Sequence, residues 1–324
     1  MESGDRRDGA ARRAWLATAA GALGGMAARG VVAGLGSAMT TGGAGAALTA
    51  GGLAGLGLGG CATTGTTGDA GVTPDAAAID PALQAAIDSP LRTPANRARD
   101  GARHPAQTLA FFGLRADQTV VELWPGGGMW WTEILAPWLA PRGRYIAALP
   151  PAEFPGENFA RARPAFEAKL AADPARFGRV ELAQFDALDP AFVAPGSADA
   201  VLSFRNLHNW IVAGRGESAL RAIAAALRPG GVFGIEDHRA APGASAEAAL
   251  AAGYVREADV IALAEAAGLR LAARSEINAN PRDGKDHPAG VWTLPPTFRL
   301  GETDRAKYAA IGESDRFTLR FVKA

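Results

Sequence analysis

The sequence contains only four histidines, and three of them, His208, His238 and His287, stand where chemistry is readily built. His208 follows a β-branched run ending at Phe204, in the segment Arg205-Asn206-Leu207-His208-Asn209-Trp210. His238 closes the run Gly234-Ile235-Glu236-Asp237-His238. An imidazole takes up a proton near neutral pH and is suited to deprotonating a hydroxyl or amine nucleophile. Asp237 is placed to orient it by fixing its tautomer. The competing reading for each histidine is a plain hydrogen bond to a strand end or loop, and it is stronger for His104 on an early polar helix. His208, His238, His287 and Asp237 would suffice chemically for a metal. No HxxxH or HExxH spacing accompanies them, so no metal site is predicted.

The second constellation is Val120-Val121-Glu122-Leu123-Trp124-Pro125-Gly126-Gly127-Gly128. A strand followed by a glycine turn and then a helix lets the backbone approach a ligand closely, and the helix start offers unpaired N–H groups to an anion. Glycine used only for tight strand-to-helix packing is the plainer alternative. Trp124 and Trp210, both at predicted strand ends, would wall an apolar pocket for a flat substrate. Trp130, Trp131 and Trp138 read as core.

Positioning these residues requires alternating strands and helices. Strands are predicted over 119–124, 144–149, 180–185, 198–204, 232–236, 269–276 and 317–322, with helices over 96–112, 130–139, 158–172, 217–227 and 256–267. The pattern predicts an α/β fold: a doubly wound, Rossmann-like, mostly parallel seven-stranded sheet with an antiparallel C-terminal strand. Ligands then bind at the carboxyl ends of the strands, near the switch point. The polar segment 278–288, with Arg282 and Lys285, reads as a lid or binding loop that includes His287.

The glycine turn, Asp186 at the end of strand three, the segment Arg205 to Trp210, and Leu227-Arg228-Pro229-Gly230-Gly231 before strand five resemble class I S-adenosylmethionine-dependent methyltransferases. The closer resemblance is to a bacterial subfamily of predicted methyltransferases with a Trp-Pro-Gly-Gly-Gly turn, over about residues 90–324. The resemblance implies that Glu122, Trp124, Gly126, Gly127 and Gly128 cradle the methionine end of S-adenosylmethionine. It further implies that Asp186 lies beside the adenine, and that Asn206 and His208 face the transferring methyl. Trp210 at its strand end and His287 in the polar loop are expected toward the substrate. This family usually has glycine where Trp124 stands, and an acid at the end of strand two where this chain reads Ala147-Ala148-Leu149-Pro150-Pro151, with Glu153 displaced.

The N-terminus reads as an address. Arg12-Arg13-Ala14-Trp15-Leu16 resembles a twin-arginine export signal, and Leu58-Gly59-Gly60-Cys61 resembles a lipobox in which the sole cysteine receives lipid. This divides the chain into a leader over 1–61, a flexible tether over 62–90 and a single methyltransferase-like domain over 91–324. The expected location is that of an exported bacterial lipoprotein held on the membrane through Cys61, or the cytoplasm if the leader is something else. Basic and acidic residues number 33 each, so no long-range field favours nucleic acid. The partner expected is a small molecule, and nothing indicates an oligomeric state. Two functions are compatible with these features. One is a methyltransferase using S-adenosylmethionine. The other is an envelope enzyme or ligand-binding protein on the same fold, using His208, Asp237 and His238 without that cofactor.

Overall fold

The computed structural model describes residues 79–151, 157–188 and 191–324. The arginine pair, the lipobox, Cys61 and Glu153 lie outside the described residues. No helix among the described residues is long and apolar enough to cross a membrane. The sheet and the candidate site both belong to the unit Ala70–Ala324.

Seven strands form one sheet: β1 (Thr119–Leu123), β2 (Arg144–Leu149), β3 (Glu181–Gln184), β4 (Ala198–Phe204), β5 (Leu227–His238), β6 (Leu269–Ser275) and β7 (Arg316–Lys323). Their spatial order is β3-β2-β1-β4-β5-β7-β6. The pairs from β3 to β5 are all parallel, and β7 enters antiparallel between β5 and β6. The fold class read from the sequence is the one observed. The order reverses between β1 and β4, so the crevice for a ligand opens at their carboxyl ends.

Alternation along the central strands builds a core on each face. Val121, Leu123, Ile146, Ala148, Val201 and Phe233 pack with the helices Gly216–Ala226 and Glu257–Ala266. Val120, Ala147, Leu149, Ala200 and Leu202 face the helices Pro105–Phe112 and Thr132–Leu139. Gly234 in β5 is required by this packing, because a Cβ there would lie 2.7 Å from the Phe112 ring.

Two segments differ from the sequence-based reading. Pro81–Asp88 is a helix with Asp80 capping Ala82 N–H, and its Leu83 and Ile87 are buried; packed structure therefore begins inside the segment read as tether. The polar helix predicted over 96–112 is three short helices, Pro94–Arg97, Asp100–Arg103 and Pro105–Phe112. The break is at His104, which takes a left-handed φ of 44°. It precedes Pro105, whose ring disfavours α conformation in the preceding residue.

Candidate active site

β4 and β5 are neighbours, so their carboxyl ends bring His208 and Asp237–His238 together. The helix Leu207–Val212 starts immediately past β4 and sets His208 on the Asp237 carboxylate. His208 Nδ1 lies 2.9 Å from Asp237 Oδ1, and the same carboxylate accepts the backbone N–H of His208 at 3.3 Å and of His238 at 2.8 Å. Asp237 is fully buried and His208 nearly so. With Nδ1–H donated to the carboxylate, His208 keeps its lone pair on Nε2.

The His238 ring lies 5.3 Å from that of His208, and its Nδ1 is 2.6 Å from Ser314 Oγ. Burial, then the neighbouring His208, Arg205, Arg316 and Arg103, hold the His238 imidazole well below its ordinary range, so it stays neutral. One ligand atom each from His208, Asp237 and His238 lie within 4.8 Å of one another, a spacing that a metal ion could bridge. Asp237 already accepts three hydrogen bonds, however, and the adjoining arginines oppose a cation.

His287 belongs to the loop network beside this pair. Its Nε2 is 2.8 Å from Asp283 Oδ1, and Asp283 also accepts from Tyr254 OH and from Asp315 N–H. The Tyr254 ring stands 6.2 Å from His238. Lys285 in the same loop is paired with Asp315 at 3.0 Å.

The glycine turn lies across the switch point from His208. Neither Gly126 nor Gly128 has a positive φ, and a Cβ built on either meets nothing within 4 Å. Both are exposed, whereas a Cβ on Gly127 would sit 3.3 Å from the Ala165 side chain. Asn206 ties the two sides of the crevice together, donating from Nδ2 to Leu123 O at 3.0 Å. Asn96 donates to Gly128 O at 2.9 Å, anchoring the turn to the early helices.

Trp124 carries the left-handed conformation of the turn, with φ 49°. Glycine adopts that conformation at the lowest cost, which accounts for the residue usual there in the family the motifs resemble. The indole donates to Phe185 O at 2.7 Å and meets Trp210 edge-on at 5.5 Å. Trp210 is fully buried among Trp124 and Phe185. The expected aromatic wall is thus core: Trp210 presents no face to a substrate, because its ring packs beneath the strand ends. Asp186 caps its own turn by accepting Leu188 N–H at 2.7 Å.

Glu122 is buried and accepts from Tyr145 OH, itself 2.8 Å from Thr132 Oγ1, so its carboxyl group is engaged inside the protein. Burial raises its carboxyl to about 7, against the hydrogen bonds from Tyr145 and Thr132 and the charges of Arg205 and Arg103. A carboxyl raised from the usual 4.5 holds its proton more tightly in the folded state. Its contribution to stability is therefore full below about 4.5 and falls as pH rises to about 7. A shift of that size corresponds to roughly 3 kcal/mol at most. Glu122→Gln is expected to stabilise the protein at pH 8 by about 1–3 kcal/mol and to do little at pH 4.5; urea unfolding at the two pH values checks this, and an equal effect at both would contradict it.

The sequence reading did not single out the arginine cluster beside the histidines, formed by Arg99, Arg103, Arg205 and Arg316 around Glu236 and Glu313. Its one local signal is the charged run Glu313-Ser314-Asp315-Arg316 set directly before an apolar strand.

No family model matches the chain, and no curated protein matches it. Solved structures do. A SAM-dependent methyltransferase from Aquifex aeolicus is 16% identical over 72% of this chain and 95% of that one, with a TM-score of 0.46. The 1,6-didemethyltoxoflavin-N1-methyltransferase of Burkholderia thailandensis is 16% identical over 70% of this chain and 77% of that one, at 0.39. The cyclase SpnF is 17% identical over 71% and 80%, at 0.44. The Rossmann-like fold rests on the strand order itself, and the functional reading rests on the site's own residues.

Proposed function

We propose that the chain is an S-adenosylmethionine-dependent methyltransferase acting on a small molecule. One observation carries the reading. Gly126 and Gly128 are glycines that neither backbone conformation nor packing requires, and they stand at the carboxyl end of β1, at the switch point. What they provide is close approach of a ligand to the backbone. The residues fit the methionine end of the cofactor, with Gly126 to Gly128 beneath it and Asn206 holding the β4 side.

When bound, S-adenosylmethionine supplies an electrophilic methyl group on a sulfonium. The protein's part is alignment and proton removal. His208 Nε2 would take the proton of the acceptor's hydroxyl or amine, the cofactor's methyl–sulfur bond breaking as the new bond forms so that S-adenosylhomocysteine is the leaving group. Asp237 stabilises the imidazolium that results and keeps Nδ1–H directed inward. His238 stays neutral beside it, held by Ser314, and adds no charge that would oppose protonation of His208. His287 and Tyr254, joined through Asp283, border the acceptor side.

Titrating S-adenosylhomocysteine into the folded protein in a calorimeter tests the cradle. A Cβ at Gly126 or Gly128 meets nothing within 4 Å beyond its chain neighbours, so valine variants at both positions are expected to fold, which the thermal unfolding of each checks. Each is expected to weaken binding by about 100-fold or more, some 2.7 kcal/mol. Unchanged affinity in both would contradict the assignment.

We propose also that the chain is exported and membrane-anchored through lipid on Cys61, which is supported by the arginine pair and the lipobox. Loss of lipid labelling in Cys61→Ser is the expected outcome; labelling that persists would contradict it.

A further inference from the structure

Four guanidinium groups converge on two carboxylates at the carboxyl ends of β4 and β5 and the start of β7. Glu313 is 2.8 Å from Arg99, 3.0 Å from Arg103 and 3.0 Å from Arg316. Glu236 is 3.0 Å from Arg316, and Arg205 stands 3.6 Å from both acids. Among the described residues no other carboxylate lies within ion-pair distance of these four guanidinium groups. The cluster thus holds two more positive than negative charges, and Arg103, Arg316 and Glu236 are almost fully buried. Uncompensated buried charge is costly. Burial, with Arg205 and Arg99 nearby, lowers the Arg103 guanidinium well below its usual range.

Hydrogen bonding in the cluster is incomplete on both sides: Arg99 Nη2, Arg205 Nη1 and Arg316 Nε, and both carboxylate oxygens of Glu236, are buried and make no hydrogen bond, so the surplus is one of charge. Arg103 and Arg316 form the back of the group, whereas the side chains of Arg99 and Arg205 remain 24% and 19% exposed. Arg205 immediately precedes Asn206 and takes a left-handed φ of 60°. His238 senses the charges of Arg205, Arg316 and Arg103. The missing counter-charge is therefore next to the candidate general base, at the rim where Arg99 and Arg205 reach solvent. A metal cation would add to the surplus. An anion would cancel it, and planar guanidinium groups match carboxylate or phosphate oxygens.

We infer that Arg99 and Arg205, backed by Arg103 and Arg316, bind an anionic group of the methyl acceptor, a carboxylate or phosphate, and so hold its nucleophile toward His208. The acceptor part of this inference rests on the methyltransferase reading; the anion site does not. The same chemistry could be supplied by the carboxylate of the cofactor, and the experiment separates the two sources.

The full-length protein is titrated with inorganic phosphate and with succinate at constant ionic strength, and thermal unfolding and calorimetry are followed. The expected result is saturable binding that Arg205→Gln and Arg99→Gln each weaken at least about tenfold, whereas Arg221→Gln, at an exposed helix position, changes nothing. Arg99→Gln lies at the rim and serves if Arg205→Gln does not fold. No saturable binding to the wild type, or equal binding by the rim variants, overturns the site. Repeating the titration with S-adenosylhomocysteine present decides the source. Simultaneous binding supports the acceptor, and mutual exclusion overturns it in favour of the cofactor's carboxylate. If S-adenosylhomocysteine does not bind while phosphate does, the cofactor reading fails and the anion site stands.

Discussion

His208→Asn is expected to lower the rate of methyl transfer by about 10²- to 10⁴-fold and to leave S-adenosylhomocysteine binding unchanged. Asparagine is chosen because its amide N–H can replace the donation from Nδ1 to Asp237, which sits 2.9 Å away in a fully buried position. The carboxylate then keeps a partner and the local fold is preserved, but Nε2 is gone. The measurement is single-turnover transfer once an acceptor is found. A variant with full activity would remove His208 from the mechanism.

Glu313→Gln is expected to have the largest effect on stability, a loss of about 3–5 kcal/mol at pH 7. It leaves Arg99, Arg103, Arg205 and Arg316 facing Glu236 alone. Burial by itself would raise the Glu313 carboxyl; Arg103, Arg205, Arg316 and Arg99 outweigh it and bring the group to about 2. A carboxyl depressed in this way stabilises the folded state fully above its ordinary 4.5, and loses that contribution as pH falls toward 2. The gap between wild type and variant should therefore narrow by about 2 kcal/mol between pH 7 and pH 3. Denaturant unfolding at both pH values measures it. A gap that stays constant would mean that the charge on Glu313 is not what the cluster needs.

The contrast between these two residues shows what a sequence can disclose. His208 and Asp237–His238 were legible because each ends an apolar, β-branched run, and parallel strands with crossover helices put such ends on one edge. The mostly parallel sheet and its antiparallel C-terminal strand followed from the same logic, whereas the spatial order of the strands came from the structure. Glu313 was not legible. Its partners are Arg99 and Arg103 at the two ends of the short helix Asp100–Arg103, Arg205 past the end of β4 and Arg316 at the start of β7, and no local period reports a charge pair closed across more than two hundred residues. The break at His104 had a local signal in Pro105, which a polar helical pattern concealed. Trp210 illustrates another limit. Its position past β4 was read correctly, but whether an indole faces a crevice or the layer beneath it depends on Trp124 and Phe185, which reach it from β1 and β3. Glycines are the reverse case: Gly126 to Gly128 are conspicuous in sequence, and only the structure separates Gly234, which Phe112 demands, from Gly126 and Gly128, which nothing in the protein demands.

The central claim is that the glycine turn at the end of β1 receives S-adenosylmethionine. Saturation-transfer NMR on S-adenosylmethionine carrying a 13C-labelled methyl group tests it most directly, with the protein's folded state verified in the same sample. The account predicts transfer from protein to the labelled methyl that S-adenosylhomocysteine displaces and that Gly126→Val abolishes. Absence of transfer to a folded wild-type protein, or transfer that survives Gly126→Val undiminished, would contradict it.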